Sequence, residues 1–251
     1  MFNFSGLEFS NLTLQDAALL LANVKSKKKK WIVATPNVNH VMRARKSKSY
    51  HQLLNQMDIL FADGMPIVWV SRLMGVGLPE RVTGADLLPS ISQLINKKNG
   101  TIFLAGGTSE LELKKAADNI KASCEQLKIV TFFPRFGFEK SEQESMDLIQ
   151  SIKDSSADVI FLGVGSPKQE TWLLKYKNEL PTGAYIGCGM AIGFAAKTVR
   201  RSPKIIQNIG CEWIWRVSQE PRRLFKRYFL DLEFIFVAIA EIVRVRLLSK
   251  T

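Results

Sequence analysis

Two kinds of hydrophobic pattern alternate along the chain. Short apolar blocks rich in β-branched and aromatic residues occur at positions 31–34 (WIVA), 59–62 (ILFA), 101–104 (TIFL), 128–133 (KIVTFF), 158–162 (DVIFL) and 184–187 (AYIG), and they read as strands. Between them lie longer stretches whose apolar residues recur at helical spacing: 38–57, 65–73, 85–98, a segment running to 127, 141–154 and 167–179. Thr108 or Ser109 is placed to cap the fourth of these, and Pro66 falls in the tolerated first turn of the second. Residues 2–9 form a short strand or ribbon, and Thr13-Leu14-Gln15-Asp16 resembles a capping box opening a helix to about Val24. Regular strand–helix alternation predicts an α/β fold, a Rossmann-like parallel sheet covered by helices on both faces. No internal repeat or long linker interrupts it.

The pattern changes after position 201. From there it is helical only, and aromatic and basic residues interleave through Trp213, Trp215, Arg216, Arg222, Arg223, Phe225, Lys226, Arg227, Tyr228 and Phe229. This predicts a catalytic domain over residues 1–200 and a helical, basic C-terminal appendage over residues 201–251. Apolar residues recur at helical spacing from Leu224 to Val243, while Asp231, Glu233 and Glu241 interrupt the stretch. The segment is therefore expected to lie on something apolar rather than to span a bilayer. It reads equally as a helix packed on its own core and as an interfacial membrane helix flanked by Arg and Lys.

Composition narrows the field. The 251 residues, 46% hydrophobic and 10% aromatic, are enough to fill the core of one large domain. The net charge is +12, and residues 197–251 hold 12 Lys and Arg against 5 Asp and Glu, a net of +7. A basic end suits an anionic partner, although a solvated face would look the same. The lysine run at 25–30 has no aromatic interleaving and reads as a solvated loop. Cys124, Cys188 and Cys211 are far apart and read as thiols in a reducing compartment. There is no secretory signal pattern and no long uncharged apolar run, so the protein is expected on the cytoplasmic side.

Candidate chemistry gathers at the ends of strands. The first two central strands end in Thr35-Pro36-Asn37 and Asp63-Gly64, and in an open parallel sheet ligands bind at such carboxyl ends. Asp63 reads either as a general base or as the N-cap of the following helix. Thr35 and Asn37 read either as contacts to sugar hydroxyls or as caps. Arg81, in a Gly-flanked loop with Gly84 and Asp86, suits a diphosphate or a salt bridge with Glu80 or Asp86. Residues 162–170 (LGVGSPKQE) form a strand, a Gly-rich turn and a helix start; with Pro167 in the turn and a third glycine missing, this is no dinucleotide fingerprint. Gly106-Gly107 is a weaker loop of the same kind. His40 and His51 stand apart from any metal-spaced grouping, so no metal and no cofactor is expected. The short acid pair Asp231 and Glu233 lies in the C-terminal helix rather than on a loop after a strand, which argues against a metal-bound sugar nucleotide.

These pieces together resemble the WecG/TagA/CpsF family of bacterial glycosyltransferases. The matching motifs are Thr35-Pro36-Asn37, Phe61-Ala62-Asp63-Gly64, Pro79-Glu80-Arg81-Val82-Thr83-Gly84-Ala85-Asp86, Phe103-Leu104-Ala105-Gly106-Gly107, Gly163-Val164-Gly165-Ser166-Pro167-Lys168-Gln169-Glu170, and Glu212-Trp213-Ile214-Trp215-Arg216 with Glu220-Pro221-Arg222-Arg223-Leu224. They occur in the family's order over nearly the whole chain. The resemblance implies inverting, metal-independent transfer of a sugar, N-acetylmannosamine-type or a related hexose, from a UDP-sugar to a polyprenyl-pyrophosphate-linked sugar at the cytoplasmic membrane surface. It implies Thr35 and Asp63 as the active-site pair and Arg81 and Gln169 in the donor pocket. Asn37, Gly84, Asp86, Gly106, Gly107, Gly163, Gly165, Pro167, Lys168 and Glu170 would complete the binding loops. Arg216, Arg222, Arg223 and Arg227 would close over the acceptor from the appendage. Val38-Asn39-His40 stands where many relatives carry an acidic residue, which bears on the choice of donor sugar. A homo-oligomer is compatible with this reading. A nicotinamide-dependent oxidoreductase would need the missing glycine, and a nucleic-acid-binding protein would need exposed aromatics in a basic groove rather than a continuous apolar helix face; no nucleic acid partner is expected.

Overall fold

The computed structural model describes residues 1–208, 212, 214, 215 and 233–248. An amino-terminal hairpin, β1 (Phe2–Phe4) and β2 (Leu7–Phe9), is followed by α1 (Leu14–Ala22), whose N-cap Thr13 accepts from the Asp16 amide. The alternating part then runs β3 (Lys30–Ala34), α2 (Val38–Lys46), α3 (Lys48–Asn55), β4 (Ile59–Leu60), α4 (Met65–Leu73), α5 (Gly84–Asn96), β5 (Thr101–Gly106) and α6 (Glu110–Lys121). It continues through β6 (Lys128–Phe132), a 3-10 turn at Phe138–Lys140, α7 (Glu142–Ser155), β7 (Val159–Gly163), α8 (Lys168–Lys175), β8 (Gly183–Gly187) and α9 (Ala191–Ala195). Past α9 lie the helices α10 (Lys204–Asn208) and α11 (Glu233–Leu248).

The eight strands form one sheet in the order β1-β2-β4-β3-β8-β7-β5-β6, with every pair parallel except the opening hairpin. Alternate residues of each central strand feed opposite cores, as the two-residue period requires. Ile32, Phe103, Ile160 and Tyr185 face the layer of α2, α3, α4, α7, α8 and α11, while Val33, Leu104, Phe161 and Ile186 face the layer of α1, α5, α6 and α9. The α/β expectation therefore holds, and β7 and β8 are buried along their whole length.

Several boundaries differ from expectation for local reasons. The single helix expected over 38–57 breaks at Ser47, whose extended backbone ends α2 while its hydroxyl accepts from the Tyr50 amide and caps α3. Strand β4 pairs for only two residues, but the chain keeps company with β3 beyond it, the Phe61 amide donating to Ala34 at 3.0 Å and the Asp63 amide to Pro36 at 3.0 Å. The helix expected to reach residue 127 stops at Lys121, and the one expected over 167–179 stops at Lys175. Among the described residues, no helix is long and apolar enough to cross a membrane.

Candidate active site

Strands β4, β3, β8 and β7 are neighbours, and the residues just past their carboxyl ends converge on one cleft of about 770 Å³. Thr35 enters from the end of β3, Asp63 from beyond β4, Gly187 and Cys188 from β8, and Gly165 and Ser166 from the turn after β7. The paired strand ends thus do put Thr35 and Asp63 around one crevice.

The N-cap position of α4 is Gly64, with φ +131°, and Asp63 lies one residue before it. The cap role at α2 falls to Asn37, whose side chain accepts from the His40 amide at 3.3 Å while His40 Nδ1 accepts from the Asn37 amide at 3.1 Å. His40 completes the reciprocal box that a Glu or Gln usually closes. Asn37 lines the cleft and caps α2 at once.

The cationic wall comes from two arginines. Arg81 Nη1 lies 2.9 Å from Glu212 Oε2, and its Nη2 donates to Gln207 Oε1 at 2.5 Å and sits 3.5 Å from Asp86 Oδ2. Arg201, which no local motif marks, grips Asp86 with both ends of its fork, at 2.7 and 2.8 Å. Glu80 is not the partner of Arg81; its carboxylate accepts from the Leu14 amide at 2.7 Å and closes the start of α1. Arg81, Arg201, Gln207 and Glu212 all line the cleft, and Asp86 braces the arginines from behind. Burial pushes the Asp86 carboxyl up, but the hydrogen bonds and charge of Arg201, the Thr83 hydroxyl and Arg81 outweigh it, so its pKa lies below the ordinary 3.8. The charges of Asp86, Glu212 and Asp63 in turn overcome burial and hold Arg201 firmly protonated.

A folded-state pKa lowered in this way gives stability that is present above the unfolded value and lost as pH falls through the folded one. Asp86→Asn should therefore cost about 2–3 kcal/mol at neutral pH, the worth of charge-assisted hydrogen bonds plus two guanidiniums left facing each other. In urea melts the gap to wild type should hold down to about pH 4 and close below it. A gap independent of pH would deny Asp86 this role.

Gln169 is fixed on the cleft floor. Its Nε2 donates to Glu170 Oε1 at 2.9 Å, its Oε1 accepts from the Gly189 amide at 3.2 Å, and a Cβ on Gly187 would lie 2.7 Å from its Nε2. Glu170 is 3% exposed, and burial raises its carboxyl above the ordinary range despite the Gln169 bond. Its Oε2 has no hydrogen-bond partner among the described residues. Burial likewise pushes the Cys188 thiol up to about 12, so it lines the cleft as a neutral group.

Other expected binding residues lie elsewhere. Lys168 turns away to Glu139, 3.1 Å distant, and to the Phe136 ring. Pro167 forms the N-cap of α8, and Gly106, Gly107 and Gly163 pack β5 against β7 outside the cleft lining. Gly84 does line the cleft, and its missing Cβ lets α5 approach Cys188 Cα, which such an atom would meet at 3.0 Å. Arg216, Arg222, Arg223 and Arg227 lie outside the described residues.

The opposite wall is apolar. Trp69 and Leu73 of α4 and Ile235 and Ile239 of α11 line it, and α11 is held there by Phe234 edge-on to Phe4 at 5.5 Å and by Glu241, which accepts from the Ser5 amide and hydroxyl and pairs with Arg45 at 3.3 Å. The helix expected either to pack on the core or to lie on an apolar surface does the first through Phe234 and Ala238 while leaving Phe236, Val243 and Leu247 exposed.

Residues 2–247 match the sequence profile of the glycosyl transferase WecG/TagA/CpsF family. The chain is 26% identical over 223 residues to N-acetylglucosaminyldiphosphoundecaprenol N-acetyl-beta-D-mannosaminyltransferase of Staphylococcus aureus strain MW2, covering 87% of this chain and 85% of that protein. The protein of the same name from strain NCTC 8325 is similar to the same extent.

Proposed function

Since the chain belongs to the WecG/TagA/CpsF glycosyltransferase family and is thus a glycosyl-transferring enzyme, we propose that it moves an N-acetylmannosamine-type sugar or a related hexose from a UDP-sugar to an undecaprenyl-pyrophosphate-linked sugar. The reaction serves a cell-surface polysaccharide or teichoic acid-type polymer and takes place at the cytoplasmic face of the membrane, with the enzyme bound peripherally. The observation that carries this reading is the cleft itself, with Asp63 and Thr35 at adjacent strand ends facing two braced arginines across one space.

In the proposed reaction the Asp63 carboxylate takes the proton of an acceptor hydroxyl as that oxygen attacks the anomeric carbon. The bond to the UDP oxygen breaks on the far side, so the linkage inverts. Thr35, one residue past β3, orients the hydroxyl. UDP leaves with added negative charge, which Arg81, Arg201 and the amides at the start of α5 stabilise in place, a charge arrangement that needs no reorganisation during the step. The reading without a metal is supported by this cationic wall. Arg216, Arg222, Arg223 and Arg227 are assigned to the acceptor diphosphate on the sequence pattern alone.

The test is a transfer screen across UDP-sugars with a short-chain, pyrophosphate-linked N-acetylglucosamine acceptor, alongside calorimetry with UDP and with NAD. Transfer from one UDP-sugar, with UDP bound and NAD not, is the expected result. Binding of NAD with no transfer from any UDP-sugar would overturn the reading.

A further inference from the structure

The apolar wall of the cleft is more than packing. Along α4, Met65, Trp69, Val70 and Leu73 share one face, and along α11 Ile235, Ile239 and Ile242 share another; both faces line the cleft. Core-facing positions on these helices are buried, as with Ile67 and Val68, yet Trp69, Leu73, Ile235 and Ile239 remain 41–54% exposed. Two large apolar stripes left open inside a cleft are costly unless something covers them.

The position of the stripes says what that is. Helix α4 begins two residues after Asp63, so the trough starts beside the reacting end of the cleft. From Met65 to Leu73 it runs roughly 12 Å at the helical rise of about 1.5 Å per residue. Helix α11 also carries Phe236, 75% exposed, with Val243 and Leu247. An apolar path therefore leads from Asp63 along α4 and α11 towards a surface that is itself apolar. A ligand matching this course has a polar, reactive head at Asp63 and a hydrocarbon joined to it. A second protein copy or a free membrane lipid would cover the outer row without requiring a stripe that reaches the strand ends.

We propose that the trough between α4 and α11 binds the first isoprene units of the acceptor's own polyprenyl chain. This rests on the glycosyltransferase reading above. The trough makes the enzyme discriminate acceptors by their hydrocarbon, and the chain it holds fixes the direction from which the acceptor sugar reaches Asp63.

The experiment uses the full chain in buffer free of detergent and vesicles. With UDP-N-acetylmannosamine as donor, kcat/KM is compared for N-acetylglucosaminyl diphosphates esterified to a methyl, a geranyl and a farnesyl group. In parallel, equilibrium binding of farnesyl diphosphate is compared with that of inorganic diphosphate. Expected is a rise in kcat/KM of at least roughly tenfold from methyl to geranyl, because burying a few methylenes is worth more than that factor, and tighter binding of farnesyl diphosphate than of diphosphate. In Trp69→Ser and Ile239→Asn, both at partly exposed positions, the ratio of geranyl to methyl kcat/KM and the preference for farnesyl diphosphate should fall towards unity. If wild type shows no chain-length preference in either measurement, or the variants keep it in full, the trough is not the prenyl site. If no acceptor is used but farnesyl diphosphate binds and the variants weaken it, the trough stands and the proposed reaction fails.

Discussion

Asp63→Asn should leave a folded protein that still binds UDP-sugar but transfers it about 10²–10⁴-fold more slowly, the usual worth of a positioned general base. The structure makes this a clean substitution. Asparagine keeps the shape of the side chain, and the N-cap residue of α4, Gly64, is untouched. The tie that holds the two strand ends together is the Asp63 amide donating to Pro36, which the substitution leaves alone. Donor affinity should change little, since the diphosphate is proposed to bind at Arg81 and Arg201. The largest remaining effect there is the loss of one of several negative charges acting on Arg201, with Asp86 still bound at 2.7 and 2.8 Å. Calorimetry with UDP and a transfer assay on the same preparation separate the two quantities. Near-normal turnover would remove Asp63 from the role of base, and lost UDP binding would mean that its charge organises the arginines instead.

The parts of this site legible in the sequence are those fixed by local structure. Thr35 and Asp63 could be placed because each follows an apolar run that must be a strand, and strand ends in a parallel sheet collect ligands. Asn37 could be read as a cap because its partner is three residues away. What could not be read depends on distant segments meeting. Arg201 reaches Asp86 across 115 positions, and Glu212 reaches Arg81 across 131, with no spacing rule to announce either. A signal is present, since Arg200 and Arg201 fall in the basic end just after α9, but net charge alone does not tell a solvated arginine from one forked onto a carboxylate. The break at Ser47 was hidden because the apolar period runs through it; only the Ser hydroxyl, a good cap and a poor helix-interior group, hinted at a boundary. Gly106, Gly107 and Gly163, outside the cleft lining, could not be told from Gly84 and Gly165, within it, for a different reason. Close backbone approach to a ligand and close approach of two strands demand the same residue.

That ambiguity can be resolved by two substitutions. Gly106 has φ +109°, and a Cβ there would lie 2.6 Å from the Gly163 carbonyl carbon and oxygen, where β5 runs beside β7 and the Gly107 amide donates to Gly163 at 3.1 Å. The obstacle is backbone of the paired strand, which cannot rotate away. Gly106→Ala combines a disfavoured backbone region with an overpacked contact, each worth about 1–3 kcal/mol. At the few degrees per kcal/mol expected for a chain of this size, the melting temperature should drop on the order of 10 °C. Gly165 has φ +85° but open space around its Cβ position, and it lines the cleft. Gly165→Ala meets only the backbone strain, so it should melt within a few degrees of wild type, while the altered turn raises KM for the donor. The contrast assigns each glycine by what its hydrogen replaces. Gly106 holds two strands together, and Gly165 shapes the turn at the cleft's edge. A Gly106→Ala protein that melted normally but bound donor poorly would put the β5 loop back in the nucleotide site.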